Sequence, residues 1–522
     1  MRRASLRAGL AIAVLLTACP GNAPGPPAGE RGGTLRVVLR EDVDSLDPHA
    51  AGRPSSWFFA RALHRGLLAF PARADGRSPV PDLATMRPAI AAGPLRRFRF
   101  ELRAGVRWGA PLAREVTAAD VRWSIERVVK AGRGVARFLD VIEGAPSFRR
   151  GAAGRLAGIR VRSDRVLVIR TRVPAADLPW VLAHPQLAVL PAGTPPPGRV
   201  DPVAVPGLGP YRIDAYEPER RINLVRNPAW TRDDVRSAYP DAVEGRIEGR
   251  PSDPLPPDAD LIVEPGPADV AAGAGPDARA VGTQPACVRY LFLNPATPPL
   301  GDVRVRRAVA SAVRREALPG AHRPAPRLLP PVDDANAPDP VLAEDADAAR
   351  ARLRAAGLRR GFSITITVAR SARDVAEARA LARALGRVGI ALRIFRVPAA
   401  TLHAGHYATR RATAGLATWC ADWPGRAGRN VLGSIADPRA PAGTNYAGAA
   451  LPRRAAAIDE ANGAGDPAAS AARWRAADRL AVRSAVVIPL LWPVERVELS
   501  ERLAWVGSSV LPRGDPAAMW LR

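Results

Sequence analysis

Residues 363–397 constrain this chain most. Positions 363–368 (SITITV) are rich in β-branched residues and read as a strand. Positions 375–388 set Leu381, Leu385 and Val388 at helical spacing, and 390–397 return to a strand pattern. Strand, helix and strand in that order predict two parallel neighbours with a right-handed crossover. The next strand, 414–419, runs directly into Trp419-Cys420-Ala421-Asp422-Trp423-Pro424. The chain is therefore expected to be α/β, and at 522 residues long enough for two to four lobes with real cores.

The remaining pattern agrees. Strands are expected at 34–39, 98–102, 211–216, 221–225, 290–293 and 486–492, with a hairpin of 159–161 and 166–171 around Ser163-Asp164. Helices are expected at 56–68 and 468–484. A third follows Thr117 and Asp120, an N-cap pattern ahead of Val121, Ile125 and Val128. Asp302 caps a fourth, with Val305, Ala308, Val309 and Ala312 on one face. The Pro-, Asp- and Gly-rich stretch 250–278 reads as surface loops around one short strand at 260–263. There is no internal repeat.

The N-terminus addresses the compartment. Arg2, Arg3 and Arg7 precede a short apolar run from Leu10 to Leu16, and small residues lead to Cys19. This is a secretory leader, too short in its apolar part to be an anchor. Leu16-Thr17-Ala18-Cys19 is similar to a bacterial lipobox, in which the cysteine carries two acyl chains, enough for stable membrane attachment. Ordinary leader cleavage beside a coincidental cysteine is the alternative. Residues 20–31 follow as a Pro/Gly tether. No later apolar run reaches the roughly 18 residues that span a bilayer.

If Cys19 is lipidated, Cys287 and Cys420 remain in an oxidising compartment that favours their pairing, with two buried thiols as the alternative. Charge comes next. Seventy-six basic side chains stand against 50 acidic ones, a formal charge of +26, and Lys130 is the single lysine. A nucleic-acid binder clusters its basic residues with aromatics or on one helix. Here arginine runs from end to end beside 54 Pro and 45 Gly, the footprint of a GC-rich genome with arginine at solvated positions. No nucleic-acid partner is expected, although the charge favours an anionic membrane surface. An apolar content of 47% with 11 Trp excludes a disordered chain.

Catalytic constellations are scarce, and neither an enzyme nor a cofactor is expected. His403 and His406 share a helix face but have no acidic or thiol neighbour to complete a metal shell, and read as surface histidines. Gly207-Leu208-Gly209-Pro210 lacks the helix and later glycine of a phosphate loop. No Gly-x-Ser-x-Gly elbow occurs. Glu377 reads as a helix-surface carboxylate. Asp422 is the distinctive acid: it follows a strand in an α/β lobe, where ligands gather beyond strand carboxyl ends. Trp419 and Trp423 flank it and can wall off water, so that a carboxylate there suits an ammonium group. An Asp capping a turn before Pro424 is the plain alternative.

Five segments in order then resemble a known family. Gly32-Gly33-Thr34-Leu35 with Ser45-Leu46-Asp47-Pro48-His49, Phe100 to Trp108 with Val116 to Val121, Gly209-Pro210-Tyr211 with Arg226 to Trp230, Asn294 with Pro298 to Arg306, and the Trp-Cys-Ala-Asp segment are similar to bacterial extracellular solute-binding proteins of the peptide/nickel class, most of all the oligopeptide binders. The resemblance implies two α/β lobes of the type II periplasmic-binding-protein fold, a hinge and an extra inserted domain. In chain order these are a leader (1–18), a lipidated tether (19–32), lobe I (33–48), the insertion (49–175), lobe I again (176–285), lobe II (286–488) and lobe I to the end (489–522).

It also implies that Asp422 pairs with a peptide ammonium, with Trp419 and Trp423 about it, that Cys287 and Cys420 form a disulfide, and that no metal is held. The partners implied are a peptide or peptide-like solute and the permease of an ABC importer, for an exported monomer tethered through Cys19 to the outer face of the membrane, or periplasmic. A nickel chelate, glycan or antibiotic as ligand, or a surface lipoprotein with an interaction role, are the alternatives. Two positions depart from the oligopeptide binders: Leu416 stands where some carry a ligand-facing arginine, and Ala50-Ala51-Gly52 where an acid is usual.

Overall fold

The computed structural model describes residues 29–522 except 72–77, 87–95, 110, 198–205, 231–235, 250–252, 264–277, 284–285, 321, 332–342, 424, 426–427, 449–451, 465–466 and 505–513. The leader, Cys19 and most of the tether lie outside the described residues. Two large sheets organise the rest. One has seven strands, in the order Ala278–Thr283, Glu495–Ser500, Leu261–Val263, Thr34–Leu39, Ala242–Ile247, Arg221–Arg226 and Tyr211–Glu217. The other has six: His322–Pro324, Val487–Pro493, Cys287–Leu293, Ala414–Cys420, Phe362–Ala369 and Ile390–Val397.

The expected β-α-β unit is present, with Phe362–Ala369 and Ile390–Val397 parallel over eight paired residues and the helix Ala372–Gly386 between them. Ser371 caps that helix by accepting from the amide of Asp374. Leu381 and Leu385 are fully buried against the sheet. Glu377 corrects the reading of it as a surface acid. It lies on the same inner face, is 0% exposed, and accepts from Arg289 Nε at 2.8 Å on the central strand Cys287–Leu293. Arg289 also holds Asp374 at 2.5 Å, so burial of the cation is matched by two acids.

The chain passes between the sheets at two neighbouring places. Ala278–Thr283 pairs with Glu495–Ser500 in the seven-stranded sheet, and Cys287–Leu293 pairs with Val487–Pro493 in the other. One connection leads from Thr283 to Ala286 and the other passes through Val494. The strand Val487–Pro493 stays in the six-stranded sheet to its end, so the second passage comes at Val494 rather than after 488.

A third unit is built on the sheet Arg97–Glu101, Val166–Arg170 and Ile159–Ser163 and the helix Ala118–Ala131. Asp120 secures the start of that helix by accepting from the Thr117 amide at 2.9 Å, and it grips Arg114 with both oxygens. The core of this unit runs from Leu67 to Leu208, which differs from 49–175 at both ends. The helix Pro54–Leu63 instead buries Phe58, Phe59 and Ala62 against the seven-stranded sheet. At the far end Leu178, Val181 and Leu182 pack inward with Phe138. The short strand Leu261–Val263, expected among surface loops, is fully buried beside Thr34–Leu39.

Candidate functional site

The antiparallel register of Cys287–Leu293 with Ala414–Cys420 sets Cys287 directly across from Cys420 and Val288 across from Trp419. The two cysteines form a disulfide with Cα atoms 3.9 Å apart. One residue later the Ala421 amide donates to the Ala286 carbonyl at 2.8 Å. The backbone is thus held on the residue that precedes Asp422.

Asp422 meets groups from two further elements. The Trp419 indole donates to Asn430 Oδ1 at 3.1 Å, and Asn430 Nδ2 donates to Asp422 Oδ2 at 2.9 Å. Asn430 lies on the helix Gly428–Ile435 and is 0% exposed, so both of its amide atoms are committed. The second group on Oδ2 is Arg137 Nη2 at 3.6 Å, from the 3-10 helix Gly134–Val141 of the third unit. Oδ1 accepts no hydrogen bond among the described residues. Arg137 also stacks its guanidinium over Phe138 at 4.5 Å and over Trp419 at 5.1 Å. Its Nε is buried without a hydrogen-bond partner among the described residues.

The Asp422 side chain keeps 23% of its surface. Burial pushes its carboxyl above the ordinary carboxylate range, while the Arg137 charge and the Asn430 amide pull the other way. A carboxylate with one anchored and one open oxygen, linked to an indole through Asn430, can take a hydrogen-bonding cation.

Trp419 is half-buried beside that carboxylate. Trp423 is 1% exposed and drawn into the core of the third unit, edge-on to Phe138 at 4.6 Å. Arg429 reinforces this junction: its Nε donates to Asp177 Oδ2 at 2.8 Å and its Nη1 to the Phe138 carbonyl at 2.9 Å. Residues 134–182 and 419–430 are thereby bridged by two ion pairs and one aromatic pair.

Arg137, Asn430, Arg429 and Asp177 were not singled out by the sequence. Arg137 and Asp177 are hundreds of residues from the partners they meet, Asn430 and Arg429 lie on a helix whose pattern glycines dilute, and an arginine has no prominence in an arginine-rich chain. Leu416 is 1% exposed in the core of the six-stranded sheet, and its amide donates to the Tyr407 hydroxyl at 3.1 Å. Ala51 and Gly52 turn their backbone inward, the Ala51 carbonyl accepting the Trp57 indole and the Gly52 amide donating to Asp44. His403 is exposed and meets the Tyr446 hydroxyl. Among the described residues no cluster of three or more His, Cys, Asp or Glu could hold a metal ion.

The family described as bacterial extracellular solute-binding proteins, family 5 Middle, matches residues 78–427. The dipeptide-binding protein of Escherichia coli (strain K12) is 26% identical over 303 residues, covering 52% of this chain and 54% of that protein. The chain therefore spans about half the length of this curated relative. Among solved structures, the clavulanic acid biosynthesis oligopeptide binding protein 2 superposes with a TM-score of 0.81 at 28% identity, over 95% of this chain and 96% of that one. A periplasmic murein tripeptide binding protein in its unliganded open form reaches 0.75 at 19% identity, over 95% and 99%, and shares the fold.

Proposed function

We propose that this chain, which belongs to the bacterial extracellular solute-binding proteins of family 5, captures a peptide between its lobes and delivers it to the permease of an ABC importer. Binding proteins of this kind are not enzymes, and the chain performs no covalent chemistry. The single observation that carries the peptide reading is the state of Asp422. One oxygen is fixed by Asn430 and Arg137, the other accepts no hydrogen bond among the described residues, and Asn430 also takes the Trp419 indole. Such a group suits a peptide's terminal ammonium, a charge-assisted contact of about 1.5–3 kcal/mol. The relatives named as dipeptide- and oligopeptide-binding proteins point to the same ligand class.

In this reading the two neighbouring connections between the sheets, from Thr283 to Ala286 and through Val494, act as the hinge, and closure brings 134–182 onto 419–430. Trp423 then works as a closing contact against Phe138, and Trp419 as the wall of the site. The main chain of the ligand is held by strand-like hydrogen bonds, which tolerate varied side chains. Cys19 carries the lipid that keeps the protein at the outer face of the membrane.

Calorimetry with di- to pentapeptides and their N-acetylated counterparts tests the proposal. Binding of the free-amine series, lost on acetylation and lost in Asp422→Asn, is the expected result. Equal binding of both series, or unchanged binding in Asp422→Asn, defeats the role of Asp422. Native mass spectrometry of the purified protein identifies any retained ligand.

A further inference from the structure

Arginines that are scattered through the sequence converge on one face of the third unit. Its three-stranded sheet turns Phe98, Phe100, Leu167 and Ile169 into the core. Arg97, Arg99, Arg160 and Arg170 occupy the alternate positions and point outward. The register sets Arg97 directly across from Arg170, with Arg99 and Arg160 on either side of Val168. Val168 is 3% exposed without belonging to the inward cluster, so arginine stems cover it. Arg162 and Arg172 complete a shallow concavity of about 370 Å³.

Acidic compensation there is thin. Glu143 lies 3.6 Å from Arg170 and Glu101 lies 3.4 Å from Arg99. Arg97, Arg160 and Arg162 have no ion-pair partner among the described residues. In other parts of the chain arginines meet paired acids: Arg439 holds Asp437 and Asp459, and Arg289 holds Asp374 and Glu377. Like charges directly across a strand pair destabilise a sheet. Here they are kept side by side around an open, shallow concavity that shares no residue with the Asp422 site.

We propose that this arginine face is a docking surface for anionic phospholipid headgroups. Guanidinium groups bind phosphate oxygens in pairs, and several in one plane match a planar array of phosphodiesters. An extracellular protein that serves a membrane permease works against such a plane. The outward positions carry no aromatic ring and no helix, the features that would stack single-stranded bases or enter a duplex groove. The inference stands whether or not the ligand is a peptide.

Vesicle co-sedimentation of the full chain tests it, with Arg97→Gln/Arg160→Gln/Arg162→Gln and the matching triple lysine variant carrying the same N-terminus. The wild type should favour phosphatidylcholine vesicles containing phosphatidylglycerol over pure phosphatidylcholine by about tenfold or more. That preference should fade with added salt. The glutamine variant should lose most of the preference and the lysine variant should keep most of it. All three side chains are exposed, so thermal melts should coincide; Arg160→Gln alone gives the same test in smaller measure. A glutamine variant that binds like wild type overturns the proposal. So does a wild type without preference for phosphatidylglycerol, or one that binds short duplex DNA in the same salt range while ignoring the vesicles.

Discussion

The guanidinium of Arg137 lies 3.6 Å from Oδ2 of Asp422. An acid delivered by the six-stranded lobe is thereby paired with a cation delivered by the third unit, across the junction where a ligand would enter. The pairing has a physical consequence. A ligand ammonium that approaches Asp422 meets a charge already partly neutralised, and must share the carboxylate or displace the arginine.

Arg137→Ala should therefore tighten binding of free-amine peptides by about tenfold, the size of one charge-assisted contact. N-acetylated peptides should be unaffected. Calorimetry on both series decides it. Unchanged or weaker binding of the free amines would show that Arg137 helps the ligand rather than competing with it.

The Cys287–Cys420 bond closes a sequence separation of 133 residues and holds the backbone one step from Ala421. Alkylation without reductant should leave both cysteines unlabelled. Replacing both with serine should lower unfolding free energy by about 2–5 kcal/mol, most of it from restored freedom of the unfolded chain. Urea unfolding measures this, and a loss below about 1 kcal/mol would contradict it.

Asp47 and Arg127 form a buried two-pronged pair, at 2.5 and 2.9 Å, that ties the opening turn to the helix Ala118–Ala131. Both are nearly inaccessible, at 2% and 5% exposed. Burial alone would raise the Asp47 carboxyl, but the guanidinium overrides it and holds the group below its ordinary value. Arg127→Met strands that charge and should cost about 3–5 kcal/mol. The double variant with Asp47→Leu should lose markedly less than the two single variants combined. Additive losses in urea would remove the pair from the account.

Acid should destabilise the protein well before most carboxylates titrate. Burial, assisted by the Arg61 charge, pushes His184 from 6.5 to about 3. Burial likewise carries His49 and His64 to about 4. Between these values and 6.5 the unfolded chain binds more protons, so stability is complete above 6.5 and falls as pH drops. Asp478, raised to about 6 by burial, and Asp422, raised by the same cause, act oppositely over part of that window, but as two carboxyls against three histidines. His184→Asn keeps an acceptor for the Gln186 amide and removes one titrating group. Its melting temperature should fall less steeply from pH 6.5 to 4 than that of the wild type. Parallel curves would defeat this assignment.

Legibility followed the kind of signal each element carries. The β-α-β unit, the helix after Thr117 and the hairpin at Ser163-Asp164 announce themselves by local period and turn chemistry, and all are present. Ala242–Ile247 was missed because its sequence, AVEGRI, puts Gly245 on the buried side, where no apolar side chain marks the alternation. The helix Gly428–Ile435 was missed because Gly428 and Gly433 dilute its pattern. Glu377 was misjudged because a carboxylate on a helix reads as solvated until its buried partner, Arg289, is brought 88 residues to meet it.

The sequence by itself determined the α/β class, the family and the prominence of Asp422. These depend on short-range periodicity and on contiguous motifs, which survive in a linear string. Only the tertiary structure decided what surrounds that acid: Asn430 on one side, Arg137 on the other, and Trp423 withdrawn into the third unit. It also decided that scattered arginines share one sheet face. The reason is common to both. Charge pairing and charge crowding depend on distance in space, and chain folding sets that distance independently of sequence separation.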